Sequence, residues 1–167
     1  MWDKYPFGVT FAHCLASVTL GMAEGALELA LDHFRGRRHA MDGSAAIDDA
    51  FVRRRISEAD AIVRGLRQRF DGVFANLKSY VDAGRDIPVD VRVAAKFDAQ
   101  LIGKGAMEAI ELLFKASGGR GIMLSNPMQR FFRDVHAASN HSFLGYDKGS
   151  MNAGGVLMGA DTLDLAI

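Results

Sequence analysis

The sequence contains a single cysteine, Cys14, so no disulfide bond can form within the chain. It also lacks the cysteine and histidine spacings typical of a metal site, and we expect no bound metal. The first residues lack the basic stretch and apolar core that mark a signal peptide. Together these absences predict a cytoplasmic protein in a reducing compartment.

Net charge is also missing, because 20 basic residues balance 20 acidic ones in the chain of 167 residues. A protein that tracks nucleic-acid phosphates needs a basic surplus or stripe, and the arginine clusters at 35–38 and 53–55 are short. No uninterrupted apolar run approaches the length of a membrane span. We therefore expect neither nucleic acid nor a membrane as a partner.

Strand-like alternation of apolar and polar residues is absent, and helical spacings of three and four take its place. The first predicted helix covers residues 9–35. Its apolar stripe consists of Phe11, Leu15, Val18, Met22, Ala26, Leu29 and His33. Small residues lie among these positions and predict a close approach by another helix: Ala12, Ala16, Gly21 and Gly25.

The second predicted helix, over residues 49–83, shows the clearest pattern in the chain. From Val52 to Tyr80 its apolar residues are spaced alternately by four and three, which is a heptad seam. Packing in an antiparallel bundle explains such a seam as well as a coiled coil does. Gly84 and Pro88 mark the end of this helix.

A third helix is predicted over residues 89–116 and is apolar around most of its circumference, which indicates a central position or a subunit interface. Glycines 118, 119 and 121 end it. Asn126 and Pro127 begin a fourth helix that ends near residue 141, and a short helix is expected around 147–159. We predict an all-α fold, an antiparallel four-helix bundle that forms one domain over residues 1–167.

Residues that could carry chemistry concentrate in SGGRGIMLSNPMQRFFRDVHAASNH, positions 117–141. Arg130 and Asp134 are four apart and can pair on the fourth helix, and we place His141 on the same face. A surface ion pair and a helix-capping histidine are the plain alternatives. Gly118 and Gly119 either end a helix or let the backbone approach a phosphate or a flat ring.

The order of features in this stretch resembles the C-terminal helical domain of the acyl-CoA dehydrogenase superfamily. The order is Gly-Gly, a short loop, Asn-Pro, Gln-Arg, two aromatics, Arg-Asp, and a histidine seven residues after the aspartate. It is most similar to the flavin-dependent monooxygenase branch, the oxygenase components of two-component aromatic hydroxylases. The first helix resembles the opening helix of the same domain, and the resemblance is specific only around residues 117–141.

This resemblance implies a flavin, FMN or FAD, that a separate reductase delivers in reduced form. It implies that Gly118 and Gly119 approach the cofactor, often across a subunit boundary. It also implies a phosphate-binding arginine just past the first helix, Arg37 or Arg38, of which we select Arg38, and we assign Arg130 to the cofactor as well. Because members assemble through these helices, we expect a homo-oligomer, either a tetramer or a dimer.

One position separates two branches of the superfamily. Acyl-CoA dehydrogenases commonly carry a proton-abstracting glutamate eight residues after the aspartate that Asp134 matches, and here that residue is Ser142, whose hydroxyl cannot act as the base unaided. The hydroxylase branch tends to place an imidazole near the reactive flavin edge and the phenolic substrate. His141 is therefore the candidate catalytic residue, which would deprotonate the phenol or hydrogen-bond the oxygenated flavin.

Three functions remain open at this stage. The first is the C-terminal domain of an oxygenase component that hydroxylates a small aromatic, phenolic substrate with reduced flavin and O2. The second is acyl-CoA oxidation, which Ser142 disfavours, and the third is a non-catalytic helical oligomerisation module. Because the N-terminal helical domain and middle β-domain of the superfamily lie outside these 167 residues, we expect no catalysis by this chain alone.

Overall fold

The computed structural model describes residues 4–39 and 43–167, and within them the only strand-like feature is one isolated bridge between Arg38 and Ala45. The α-helices, named α1 to α5 in chain order, are Phe7–Gly36, Ala50–Asp82, Val89–Ser117, Met128–Ser139 and Tyr146–Leu157. Short 3-10 turns lie between them at Ala46–Asp48, Gly118–Ile122 and Ser142–Leu144. The prediction of an all-α fold is confirmed.

Helix α3 is the centre of the bundle and packs against each of the other four α-helices. It runs parallel to α1, because Val9 and Ala95 share a cluster near the start of both helices, while Arg37 reaches Ser117 at the other end. Six of its residues have no measurable exposure: Ala99, Ile102, Ala106, Ala109, Ile110 and Leu113. This confirms the central position predicted from its apolar circumference.

The remaining helices run antiparallel to α1 and α3. Helix α2 crosses α1 where Arg67 pairs with Glu24 at 2.7 Å. The Phe132 ring of α4 stacks on Phe114 near the end of α3, with 4.4 Å between centroids. Helix α5, the short helix expected around 147–159, packs further toward the start of α3, where Tyr146 contacts Phe97, so α4 and α5 share one side of the bundle.

The heptad seam of α2 faces the core as predicted. Its buried members are Val52, Ala59, Val63, Leu66, Val73 and Leu77. Asp49 is the N-cap of this helix, and its carboxylate accepts hydrogen bonds from the backbone amides of Phe51 and Val52. Gly84, in the left-handed region with φ 65°, follows its end.

The apolar stripe predicted for α1 is confirmed in part, because Ala26 is buried and Leu15, Met22 and Leu29 pack against the core, but it is wrong at Val18 and His33. Val18 is 52% exposed and His33 is also exposed, whereas the buried face carries Ala12, Ala16 and Leu20. This face follows from close packing, because alanine lets a neighbouring helix approach where larger side chains would hold it away. The expectation for the small residues is therefore confirmed at Ala12 and Ala16.

Gly25 also permits a close approach, since a side-chain carbon there would lie 3.3 Å from the Phe131 ring of α4. Gly21 has open space around it. By length and composition alone α1 could cross a membrane. However, it packs against α2, α3 and α4, so its apolar content is that of a core helix in the bundle.

Candidate functional site

The glycine turn at the end of α3 is open to solvent. Gly118 has φ 66° and ψ −163°, a conformation that side chains strongly disfavour. Gly118 and Gly119 are exposed, and no atom of residues 4–39 or 43–167 lies within 4 Å of the position where Gly119 would carry a side chain. Gly121 is instead buried against Ser117 and Phe114. The first two glycines thus present bare backbone that a flat or phosphate-bearing group can reach.

Arg37 stands beside this turn, in addition to Arg120, which is part of the turn. The guanidinium of Arg37 donates a hydrogen bond to the Ser117 carbonyl at 3.1 Å and lies 5.7 Å from the centroid of the Phe34 ring. A side-chain carbon at Gly118 would lie 3.8 Å from Nη2 of Arg37. Arg38, which we selected from the sequence, points away and donates to the Gly43 carbonyl at 3.0 Å within its own loop.

His33, which the sequence analysis assigned to the apolar stripe, faces the same guanidinium. Its Nε2 lies 3.5 Å from Nη1 of Arg37. Partial burial and, secondarily, the charge of Arg37 lower the pKa of His33 below its usual value. The imidazole therefore adds a neutral polar group at neutral pH, next to the cation at the glycine turn.

An apolar loop follows the glycine turn and projects into solvent. Ile122, Met123 and Leu124 are 74%, 55% and 85% exposed. The loop is held by Asn126, whose amide donates to the Arg120 carbonyl and whose side-chain oxygen accepts from the Met128 amide. Exposed apolar residues in sequence beside a candidate cofactor surface are typical of a protein contact.

Arg130 and Asp134 form the pair expected on α4, with 3.4 Å between Nε and Oδ2. The side chain of Arg130 is 78% exposed, so the pair is a surface ion pair that contributes no more than about 1 kcal/mol. Arg130 is therefore available to a ligand from outside, but the structure does not place it at the glycine turn.

His141 does not lie on the helical face where we expected it, because α4 ends at Ser139 and the backbone of His141 is extended. Its Nδ1 accepts a hydrogen bond from the Phe143 amide at 3.3 Å, so it begins the next 3-10 turn. The exposed ring stands beside Phe11, 5.9 Å between centroids, and Phe143, 6.1 Å away. Since Nδ1 accepts, the proton of the neutral ring belongs on Nε2.

The glycine turn and His141 lie at opposite ends of the bundle. His141 packs near Phe11 at the start of α1, whereas Arg37 directly follows the last residue of α1. At a rise of about 1.5 Å per residue, residues 11 and 37 are about 39 Å apart along this helix. One chain therefore cannot bring both groups to the same ring of a small molecule.

Comparison with known proteins decides which family has this fold and this stretch. The family described as acyl-CoA dehydrogenase, C-terminal domain, matches residues 13–146. The chain belongs to this family. The chain is 31% identical over 140 residues to the oxygenase subunit HsaA of a flavin-dependent monooxygenase from Rhodococcus jostii, covering 83% of this chain and 37% of that protein.

Two further relatives extend this comparison. The chain is 29% identical over 160 residues to the oxygenase component of an FADH(2)-dependent resorcinol hydroxylase from Rhizobium sp., covering 91% of this chain and 38% of that protein. It superposes on the crystal structure of the 3-HSA hydroxylase from Rhodococcus sp. RHA1 with a TM-score of 0.90 and 28% identity, covering 98% of this chain and 42% of that chain. The chain thus spans well under half the length of these relatives.

In this acyl-CoA dehydrogenase C-terminal domain, Ser142 lines an open cavity of about 430 Å³ next to His141. The opposite wall is formed by Lys96 and Gln100 of α3, which are 5% and 4% exposed. The sequence analysis missed both residues. The one available signal was a lysine and a glutamine, four apart, on a helix predicted to be buried on several sides.

Proposed function

We propose that this chain is the C-terminal helical domain of the oxygenase component of a two-component, flavin-dependent monooxygenase. Its substrate would be a small aromatic, phenolic molecule, hydroxylated with reduced flavin and O2. Relatives named as such oxygenase components support this, with HsaA at 31% and the resorcinol hydroxylase at 29% identity. The observation that carries the proposal is the exposed His141 next to Ser142, which stands where an acyl-CoA dehydrogenase base would be.

The glycine turn fits a flavin. Exposed Gly118 and Gly119 leave room for a flat or phosphate-bearing group, and the guanidinium of Arg37 stands at its edge. Backbone amides and a guanidinium are suited to phosphate oxygens. The bound flavin would supply the activation of O2, after a separate reductase has reduced it. We favour Arg37 over Arg38 as the phosphate-binding residue, because Arg38 is turned into its own loop.

The separation along α1 supports a site shared between protomers. Because one chain holds the glycine turn and His141 about 39 Å apart, we propose that the glycine turn of one protomer and His141 of another serve one cofactor. Ile122, Met123 and Leu124, exposed beside the turn, would be covered in such an assembly. The assembly would be a homo-oligomer, a dimer or a tetramer, located in the cytoplasm.

The geometry at His141 favours one of the two roles considered from the sequence. Because Nδ1 accepts a hydrogen bond from the Phe143 amide, the neutral ring offers Nε2–H as a hydrogen-bond donor. Proton abstraction from a phenol would require this contact to break or the ring to change tautomer. We therefore propose that His141 donates a hydrogen bond to an oxygen of the flavin or substrate, and that Ser142 and Phe143 place it.

The test uses the complete oxygenase that carries this domain together with its reductase. We expect flavin absorbance to co-purify with the assembled protein or to appear on titration, and a phenolic substrate to be hydroxylated in a single turnover. Oxidation of an acyl-CoA in place of hydroxylation would instead assign the enzyme to the dehydrogenase branch. Stable assembly with no flavin bound would leave only the oligomerisation module.

A further inference from the structure

An ion pair between a buried lysine and a half-buried aspartate ties the C-terminal segment to the centre of the bundle. Nζ of Lys96 on α3 donates to the Asp164 carboxylate at 2.5 Å and to the Ala166 carbonyl at 3.3 Å. The same ammonium lies 4.6 Å from the centroid of the Phe143 ring. A lysine that is only 5% exposed needs an anionic partner, since an unpaired buried charge is strongly unfavourable.

The pair forms part of the wall of the 430 Å³ cavity beside Ser142. Lys148 at the same wall is exposed, so two lysines and one aspartate face the cavity and leave one positive charge in excess. The rings and side chains of Phe143, Met151 and Leu163 supply apolar surface. This combination suits a planar apolar molecule that carries a negative group.

Gln100 adds an unused acceptor to the cavity. Its Nε2 donates to the Phe143 carbonyl at 3.3 Å, while its Oε1 is buried and has no hydrogen-bond partner among the described residues. Buried side-chain oxygens are nearly always satisfied. This oxygen belongs to the inner wall of the cavity, where it packs against Gly149 and has no exposed surface of its own.

The segment over the cavity, residues 162–166, is held mainly by polar contacts. Asn152 accepts from the Leu163 amide at 2.8 Å, and Ala166 rests on Gly8, where a side-chain carbon would lie 1.4 Å from the Ala166 carbonyl oxygen. Leu163 and Leu165 both line the open cavity and are 84% and 103% exposed. Because the segment buries neither leucine, displacing it loses little apolar burial.

We propose that this cavity binds an aromatic carboxylate, and that Asp164 occupies the place of the ligand's carboxylate on Lys96 when the cavity is empty. Exchange of one carboxylate for another keeps the Lys96 ammonium paired throughout, which avoids the cost of leaving it alone. This inference rests on the proposed function in one respect: we take the ligand of the cavity to be the substrate of the proposed hydroxylation.

Binding is tested on the full chain alone, with 4-hydroxybenzoate as the probe and phenol as its uncharged counterpart. We expect 4-hydroxybenzoate to shift the amide NMR signals of Phe143 and Gly149, and to bind at least about tenfold more tightly than phenol, since the charge pairs in a partly dry site. Equal affinity for the two probes, or shifts confined to the Gly118 end of the bundle, would overturn the proposal.

Two variants and a control sharpen this test. Asp164→Asn removes the competing carboxylate and should strengthen 4-hydroxybenzoate binding about tenfold, whereas Lys96→Gln should remove the preference over phenol. Lys148→Gln, at the exposed rim, should weaken binding less than Lys96→Gln. If Lys96→Gln fails to fold, Asp164→Asn decides, because unchanged or weaker binding contradicts the exchange.

The two proposals fail in different ways. Carboxylate binding at Phe143 and Gly149 by a complete protein that hydroxylates nothing would preserve this site and reject the proposed function. Hydroxylation of neutral phenols alone, with no binding of 4-hydroxybenzoate to the chain, would reject this site and preserve the proposed function.

Discussion

Arg37 and Ser117, at the ends of α1 and α3, are joined by a 3.1 Å hydrogen bond from the guanidinium to the backbone carbonyl. The bond holds the arginine against the last residue before Gly118, and the Phe34 ring supports the guanidinium. Two parallel helices of the core therefore hold this guanidinium beside the glycine turn. This makes Arg37 the residue on which the cofactor proposal can be tested most directly.

We expect Arg37→Ala to weaken flavin binding by the complete oxygenase about tenfold or more, because a charged hydrogen-bond donor to phosphate is lost. In the isolated chain the same change should lower the free energy of unfolding by about 1 kcal/mol, for the lost bond to Ser117. Flavin titration and urea denaturation measure the two effects. Arg38→Ala is the matched control, and a larger loss of flavin affinity in that variant would reverse the assignment.

The two exposed glycines should respond differently to alanine. Gly118 has φ 66°, so Gly118→Ala should lower the free energy of unfolding by about 1–3 kcal/mol through backbone strain. Gly119 has open space and no such strain, so Gly119→Ala should change stability by less than about 0.5 kcal/mol. In the complete oxygenase, however, the methyl group that Gly119→Ala adds should reduce flavin affinity. Equal unfolding curves for the two variants would contradict the strain argument.

The helices could be predicted well where one face alone is buried. In α2 the seam from Val52 to Leu77 stands out because its other faces are charged, so the heptad spacing identifies the core side. In α1 the prediction failed at Val18, since a ranking by hydrophobicity favours Val18 over Ala12 and Ala16. Close helix packing reverses that ranking, because the smallest side chains lie where two backbones come nearest.

The candidate site could be predicted only where local pattern decides it. The exposed turn at Gly118 follows from three glycines after a helix, but the choice between Arg37 and Arg38 depends on the direction in which the chain leaves α1. His141 does not lie on the helical face that we predicted, because α4 ends two residues earlier, and no glycine or proline marks that end in the sequence. The pair of Lys96 and Asp164 joins residues far apart in the chain, which no local pattern reveals.

We expect His141→Ala in the complete oxygenase to lower the rate of single-turnover hydroxylation by about 10²-fold, as for the loss of a positioned proton or hydrogen-bond donor. Folding and assembly should stay intact because the side chain is exposed. His141→Gln, which keeps a donor, should recover part of the rate if donation is the role of this residue. Rates equal to the parent in both variants would remove His141 from the mechanism.

A second histidine should control the stability of the chain at low pH. His13 is 1% exposed, and its ring lies among Phe70 and Phe74. Its Nδ1–H donates to the Val9 carbonyl at 2.9 Å, and its Nε2 has no hydrogen-bond partner among the described residues. Burial lowers the pKa of His13 below 6.5, although the Val9 bond and the charge of Asp98 act in the opposite direction.

The sign of the effect follows from which state binds the proton first. Below pH 6.5 the unfolded chain protonates His13 while the folded chain keeps it neutral, so the free energy of unfolding falls until the pH reaches the folded pKa. Urea denaturation at about pH 7.5 and about pH 5.5 should therefore show the parent weakened at the lower pH, in the range where histidines titrate. His13→Leu should be less stable than the parent at the higher pH, but its free energy of unfolding should change less between the two pH values. His33→Gln, at an exposed position, should retain most of the parent's change in stability with pH. If the stability of His13→Leu falls with pH as steeply as that of the parent, other groups cause the acid sensitivity.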